Sequence, residues 1–183
     1  FSAIFQARNG LYYAPSGNRA FFSAGYPWQE VPFPRGARPA SPIRFLAEGR
    51  SSIVFAATDD AIWALRPGDG TFLQIHAGPA LRLAASPERQ VYFLAQGLLH
   101  RLEDTRVHRL QAVEAVPATQ IHCMAVDGDQ MVWVGTDRGL LRQEGYGWKV
   151  DPGLAERGLG ERPCTNLFVT GALRLWANVQ VGE

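Results

Sequence analysis

Four histidines, two cysteines and a scatter of carboxylates are the side chains here that could do catalysis or hold a metal. His76, His100, His108 and His122 show no H-E-x-x-H or C-x-x-C spacing, so they read as surface or half-buried polar residues. Cys123 and Cys164 make no disulfide framework. They read as buried free thiols and leave the redox compartment open. Asp59-Asp60 and Asp127/Asp129 fall in turn signals, where aspartate bonds nearby amides, and no calcium-loop spacing follows them. No G-x-S-x-G elbow, P-loop or dinucleotide fingerprint is present, and no carboxylate pair can be placed for glycosidase chemistry. The reading therefore assigns no catalytic residue, no metal and no cofactor. Binding chemistry is left, and arginine is its best carrier, because its planar fork of donors grips a carboxylate or sugar hydroxyls.

Such residues need elements to hold them. Short apolar runs alternate with Gly, Asp, Asn and Pro turns along the whole chain, and helix signals are weak. Glu48-Gly49-Arg50, Ser86-Pro87-Glu88 and Asp127-Gly128 each separate two such runs, and Gly171 reads as a fourth turn of this kind. Segment 32–42 carries four prolines and must be a loop, since proline cannot donate into a ladder. The formal charge is +1 with both signs interspersed, which gives no footprint for nucleic acid and no basic block for an anionic membrane. No apolar run reaches the length of a membrane span.

The runs recur with a period. Phe5, Phe55, Phe93, Trp133 and Trp176 stand as the aromatic of one strand in each unit, at intervals of 50, 38, 40 and 43 residues. The long first interval is explained by an insertion at 14–27 and the loop at 32–42. Four short strands at a spacing of about 40 to 45 residues is the signature of a β-propeller blade. A β-sandwich or a parallel β-helix is an alternative, but neither predicts this regularity. With strands labelled A to D from the hub outward, the aromatic marks strand B. The expectation is an all-β propeller: strand B of blade 1 at 3–7, blade 2 at about 43–75, blade 3 at about 81–110, blade 4 at about 121–150 and the start of blade 5 at 166–179. Segments 3–7 and 175–179 both read as strand B. That duplication predicts an open arc of about four blades from a larger, seven-bladed ring, with apolar end faces, and not a closed ring in which 3–7 joins 175–179.

The letters of one unit go further. Val126-Asp127-Gly128 followed by Val132-Trp133-Val134-Gly135-Thr136-Asp137-Arg138-Gly139-Leu140-Leu141-Arg142 resembles the two-component regulator propeller repeat, with its pattern D-x-x-G-x-φ-W-φ-G-T-x-x-G-L. The unit departs from it in having Gly128 directly after Asp127 and Gln130-Met131 where a second glycine is usual. Other units keep fragments: Thr58 without the glycine, Gly97-Leu98 without the threonine, and Gly10-Leu11. The resemblance implies a periplasmic sensor region of a hybrid histidine kinase or diguanylate cyclase. That region would be non-catalytic, joined to further blades and downstream signalling domains of the same chain, without nucleic-acid or membrane contact of its own. Within such a repeat Trp133 and Trp176 read as inter-blade core, Thr136 as a partner of amides in its turn, and Gly139 as a residue of positive φ.

Propellers usually bind at one end of the channel, over the loops entering strand A and those joining B to C. The entry loops are 32–42, 76–80, 111–120 and 151–163, and they supply Arg38 and Arg162. The inner strands open with Arg44, Arg82, His122 and Asn166. Aligning Gly49 with Pro87 puts Arg44 and Arg82 in equivalent places. These six residues are the candidate ligand-binding set, and the ligand class is a small molecule or oligosaccharide. A protein-interaction propeller and a piece of a propeller enzyme, lyase or glycoside hydrolase, are the alternative functions.

Overall fold

Hairpin hydrogen bonds set the architecture. Five times among the described residues an N–H bonds the carbonyl four residues on: Ala7 to Leu11, Gly49 to Ile53, Ser86 to Gln90, Asp127 to Met131 and Thr170 to Arg174, at 2.8 to 3.1 Å. Each closes the turn between the first two strands of a sheet. The computed structural model describes residues 4–80, 82–110, 113–170 and 174–180. Leu81 and Gly171 lie outside them.

Four antiparallel sheets of four strands follow in chain order, and a two-stranded one completes the series. The first sheet is β1 (Phe5–Gln6), β2 (Tyr12–Ser16), β3 (Arg19–Ser23) and β4 (Gln29–Val31). The second is β5 (Phe45–Glu48), β6 (Val54–Ala57), β7 (Ala61–Leu65) and β8 (Leu73–Ala77). The third is β9 (Arg82–Ala85), β10 (Val91–Ala95), β11 (Leu98–Glu103) and β12 (Arg106–Arg109). The fourth is β13 (Ile121–Val126), β14 (Val132–Thr136), β15 (Gly139–Glu144) and β16 (Gly147–Val150). After the short helix α1 (Pro152–Glu156), capped by the Asp151 carboxylate on the Leu154 N–H, come β17 (Cys164–Val169) and β18 (Leu175–Val179). Neighbouring first strands β5, β9, β13 and β17 lie side by side along the inner edge. The fold is all-β, an open arc of propeller blades.

Cores lie between the sheets, which is why the strands are apolar on both faces. Tyr13, Val54 and Trp63 share one core between sheets one and two. Phe55, Ile62 and Phe93 share the next, Leu94, Val126 and Val134 the third, and Ala125, Leu140 and Cys164 the smallest, between sheets four and five. Trp63, Phe55, Phe72 and Phe93 are almost wholly buried, and each contributes about 2–3 kcal/mol of apolar burial. Polar bonds also cross the blades. Glu48, 5% exposed, receives the Arg8 N–H from sheet one at 3.1 Å and lies 2.7 Å from the Arg89 guanidinium of sheet three.

The structure shifts the repeat. Phe5–Gln6 is the first strand of its sheet, in the place of β5, β9 and β13, so it is strand A and not strand B. Asn9-Gly10-Leu11 looked like the turn after strand B, but the Ala7–Leu11 bond is the one that joins A to B elsewhere. Residues read as an insertion at 14–27 belong to the remainder of β2, to β3 and to the loop before β4. Counting from the five hairpin bonds, the shared aromatic is Tyr13, Phe55, Tyr92, Trp133 and Trp176, so Phe93 was one residue out. The long first interval vanishes with this correction. Phe5 pairs with Tyr13 in β2, while β18 pairs with β17, so the two ends do not share a sheet.

Candidate functional site

The motif residues turn out to build turns and close approaches. Thr136 Oγ1 donates to the Gly139 carbonyl at 2.9 Å and accepts the Arg138 N–H at 3.0 Å. Thr58 does the same work in sheet two, exchanging bonds of 3.0 Å with Ala61. Gly139 has φ +112°, and a Cβ there would meet the Gly160 carbonyl. Asp127 accepts the Asp129 and Met131 N–H groups on Oδ1 and the Trp133 indole N–H on Oδ2, at 2.9, 3.0 and 2.7 Å. Trp133 is half-buried against sheet five. Trp176 differs from the expected core residue: it is 54% exposed and stacked on Phe168, because none of the described residues covers that face of the last sheet.

Aspartates of the B–C turns hold the loops that lead into strand A. Asp60 is bonded by Ser41 Oγ, and Asp59 N–H donates to Ser41 Oγ at 2.9 Å. Burial alone would raise the Asp60 carboxyl, but hydrogen bonds from Ser41, Thr58 and the Ala40 and Ser41 amides hold it below its usual range. Asp137 and Gln120 exchange two bonds: Gln120 N–H donates to Asp137 Oδ1 at 3.0 Å, and Asp137 N–H donates to the Gln120 carbonyl at 3.2 Å. The Gln120 amide is the main reason that the Asp137 carboxyl lies below its ordinary value.

The Asp137–Gln120 clamp borders a cavity of about 560 Å³ at the inner edge, between sheets three and four. Arg82, Gln96, Thr119, Gln120 and His122 line it, with Val116 and Ile121 as apolar wall. Arg82 is the anchor. Its Nε donates to the His122 carbonyl at 2.6 Å, and its guanidinium lies 5.6 Å from the Phe45 ring centre. Burial pushes its pKa down, the nearby Arg44 charge adds to this and Cys123 opposes it. A guanidinium stays charged through such a shift. His122 occupies the bulge in β13, where the register with β14 slips between Ile121 and Cys123. A bulge re-aims the side chain that it carries, and bulges gather beside binding sites.

Arg82 and His122 are thus brought together, while the other four candidates go elsewhere. Arg44 gives its guanidinium to Asp59, with Nη2 2.9 Å from Oδ2. Nor is it the equivalent of Arg82. Gly49 matches Ser86 and not Pro87, so Arg44 stands five residues before its hairpin and Arg82 four. A one-residue offset in a strand reverses the facing. The true equivalents of Arg82 are Phe45, Cys123 and Asn166. Asn166 is exposed and does not line the cavity. Arg38 pairs with Glu30 of β4 at 3.3 Å, on the outermost strand. Arg162 lines a separate opening of about 620 Å³ beside Ala155, Gly158 and Glu161. Gln96 and Thr119 were not singled out in the sequence. Gln96-Gly97 sits in the B–C turn place that Asp59-Asp60 and Asp137-Arg138 take in other blades, which was the available signal. Among the described residues no three His, Cys, Asp or Glu side chains are grouped to hold a metal ion.

No family model matches the chain, and no curated protein matches it. Solved structures do resemble it. The extracellular domain of BT4673 from B. thetaiotaomicron, described as part of a hybrid two-component system, superposes with a TM-score of 0.69 at 16% identity over 97% of this chain. XC5397, a gluconolactonase of Xanthomonas campestris, gives 0.68 at 15% identity over 97%, and a streptogramin B lyase gives 0.69 at 12% over 97%. The chain spans 25% of the BT4673 domain, 68% of the gluconolactonase and 61% of the lyase. At these identities the likeness is one of fold, and the fold that this chain shares with all three is the β-propeller.

Proposed function

We propose that this chain is the ligand-binding propeller region of an extracytoplasmic, two-component-type receptor, and that the ligand is a small carboxylated sugar or a short oligosaccharide bearing one. The observation that carries this reading is the convergence of Arg82, His122, Gln96, Gln120 and Thr119 on one cavity of about 560 Å³. An arginine anchored through Nε suits a carboxylate, and two amide side chains with a hydroxyl suit sugar hydroxyls. The repeat letters from Asp127 to Leu140 and the likeness to the BT4673 extracellular domain support the sensor assignment and a periplasmic site. On this reading further blades of the same protein cover Phe168 and Trp176, and ligand bound across blades biases the placement of domains beyond them by preferring one signalling state.

The likeness to a gluconolactonase and a lyase keeps a propeller enzyme as the second reading. One experiment separates them. The purified chain is titrated by calorimetry with glucuronate, with glucose and with short oligomers of each, and is incubated with a sugar lactone and a uronate methyl ester. Saturable heat with the uronates and no turnover supports the sensor reading. Consumption of a lactone or ester substrate supports the enzyme, and absence of heat with every probe removes the carboxylated sugar from the proposal.

A further inference from the structure

The two cysteines stand apart from the cavity chemistry, and their placement is not that of two unrelated thiols. Cys123 is on β13 and Cys164 on β17, the innermost strands of neighbouring sheets. Cys123 Sγ lies 3.6 Å from the Cys164 carbonyl oxygen. Gly135 is the cross-strand partner of Cys123, and a Cβ on it would press on Cys123 Sγ and on the Cys164 carbonyl and lie 3.0 Å from Cys164 Sγ. Both sulfurs therefore crowd into the one space that a missing Cβ leaves. The glycine of the Trp-Val-Gly-Thr run, inside β14, is thereby explained by close approach. Both cysteines are free thiols; Cys164 is wholly buried and Cys123 is half-buried.

We propose that Cys123 and Cys164 form a redox modification site that closes to a disulfide across the fourth and fifth sheets. The oxidant is a low-molecular-weight disulfide, R–S–S–R. Cys123 is the sulfur that a reagent reaches. Its thiolate displaces one R–S⁻ and leaves Cys123 as a mixed disulfide. Cys164 sulfur then attacks Cys123 Sγ and displaces the second R–S⁻. The two thiol protons leave with two R–SH, and the two electrons pass to the reagent disulfide. The shared hydrogen bond lowers the Cys164 thiol and, with desolvation, pushes the Cys123 thiol up, so in the reduced pair Cys123 holds the proton; access and placement, not acidity, make Cys123 the first sulfur to react. Attack by Cys123 requires that this proton pass to water, which makes the first step the slow one.

The location gives the bond a consequence. Among the described residues the core between sheets four and five is the smallest of the four, so a covalent link there reinforces the interface with the least apolar burial. It also closes a loop of about 41 residues in the unfolded chain and narrows that ensemble.

The test uses the chain as it stands. It is incubated with oxidised glutathione, then denatured, alkylated with iodoacetamide and weighed. The expected product has lost two hydrogens, carries no alkyl group, and joins the Cys123 and Cys164 peptides in a non-reducing digest. Its urea midpoint rises and returns to the starting value with dithiothreitol. In Cys164→Ser, glutathione stays on Cys123; in Cys123→Ser, the folded protein takes up none. Full alkylation of both cysteines, a persistent glutathione adduct on the wild-type chain, or links only between chains would overturn the proposal.

Discussion

Trp133 Nε1 donates a 2.7 Å hydrogen bond to Asp127 Oδ2, tying the aromatic of strand B to the hairpin that precedes it. The other carboxylate oxygen holds two N–H groups of the same turn. The aspartate and tryptophan of the repeat letters are therefore one device. Asp127→Ala removes three acceptor contacts and leaves the indole donor without this partner. The expected loss is about 2 kcal/mol of stability in urea unfolding. Asp129→Ala, whose carboxylate makes none of these bonds, is expected to stay within about 0.5 kcal/mol of wild type. Equal losses in the two variants would contradict the assignment.

Glu48 joins three blades at the inner edge, through its own strand, the Arg8 amide and the Arg89 guanidinium. A buried carboxylate cannot be removed cheaply when its cation stays. Glu48→Ala is expected to cost about 3 kcal/mol, and the double variant Glu48→Ala with Arg89→Met to cost less than Glu48→Ala alone. Urea midpoints of the three proteins check this, and a double variant weaker than the single one would refute it.

His76 of β8 and His100 of β11 meet over Phe93, with ring centres 5.2 and 4.7 Å from it and 6.3 Å from each other. Burial lowers both pKa values below 6.5; the charge of His100 adds to the shift at His76, and that of Arg109 to the shift at His100, where the Leu98 carbonyl opposes it. The unfolded chain then binds more protons than the folded one once pH drops below about 6.5. Stability is fully present above that pH and declines as pH falls from there toward the folded values. His76→Phe with His100→Phe is expected to flatten the fall in thermal midpoint between pH 7 and pH 5. An unchanged fall would show that carboxylates carry it.

Much of this was legible in the letters because propeller turns use residues with a mechanism. Asp127 marks its turn through a side-chain acceptor, Gly139 through a positive φ and Gly49 through the Phe55 ring that a Cβ would meet, and strand number and period follow. What misled was degeneracy. Tyr92 and Phe93 are adjacent aromatics, and only the Ser86–Gln90 bond says which one holds the shared place. Asn9-Gly10-Leu11 has the letters of one turn and the hydrogen bonds of another. Within the site, Arg82 and His122 could be read from the starts of inner strands. Capture of Arg44 by Asp59, fifteen residues on, depends on a side-chain pair that no local pattern specifies.

The central claim is that the Arg82 cavity takes a carboxylated ligand, and affinity for glucuronate oligomers in three proteins tests it most directly. Wild type, Arg82→Ala and Arg162→Ala are compared by calorimetry at one ionic strength. Arg162 serves as the control because it lines a different opening. Loss of one charged hydrogen bond predicts a fall in affinity of about 30-fold for Arg82→Ala, from a change of about 2 kcal/mol, with Arg162→Ala unchanged. Undiminished binding in Arg82→Ala, or an equal loss in Arg162→Ala, would contradict the account.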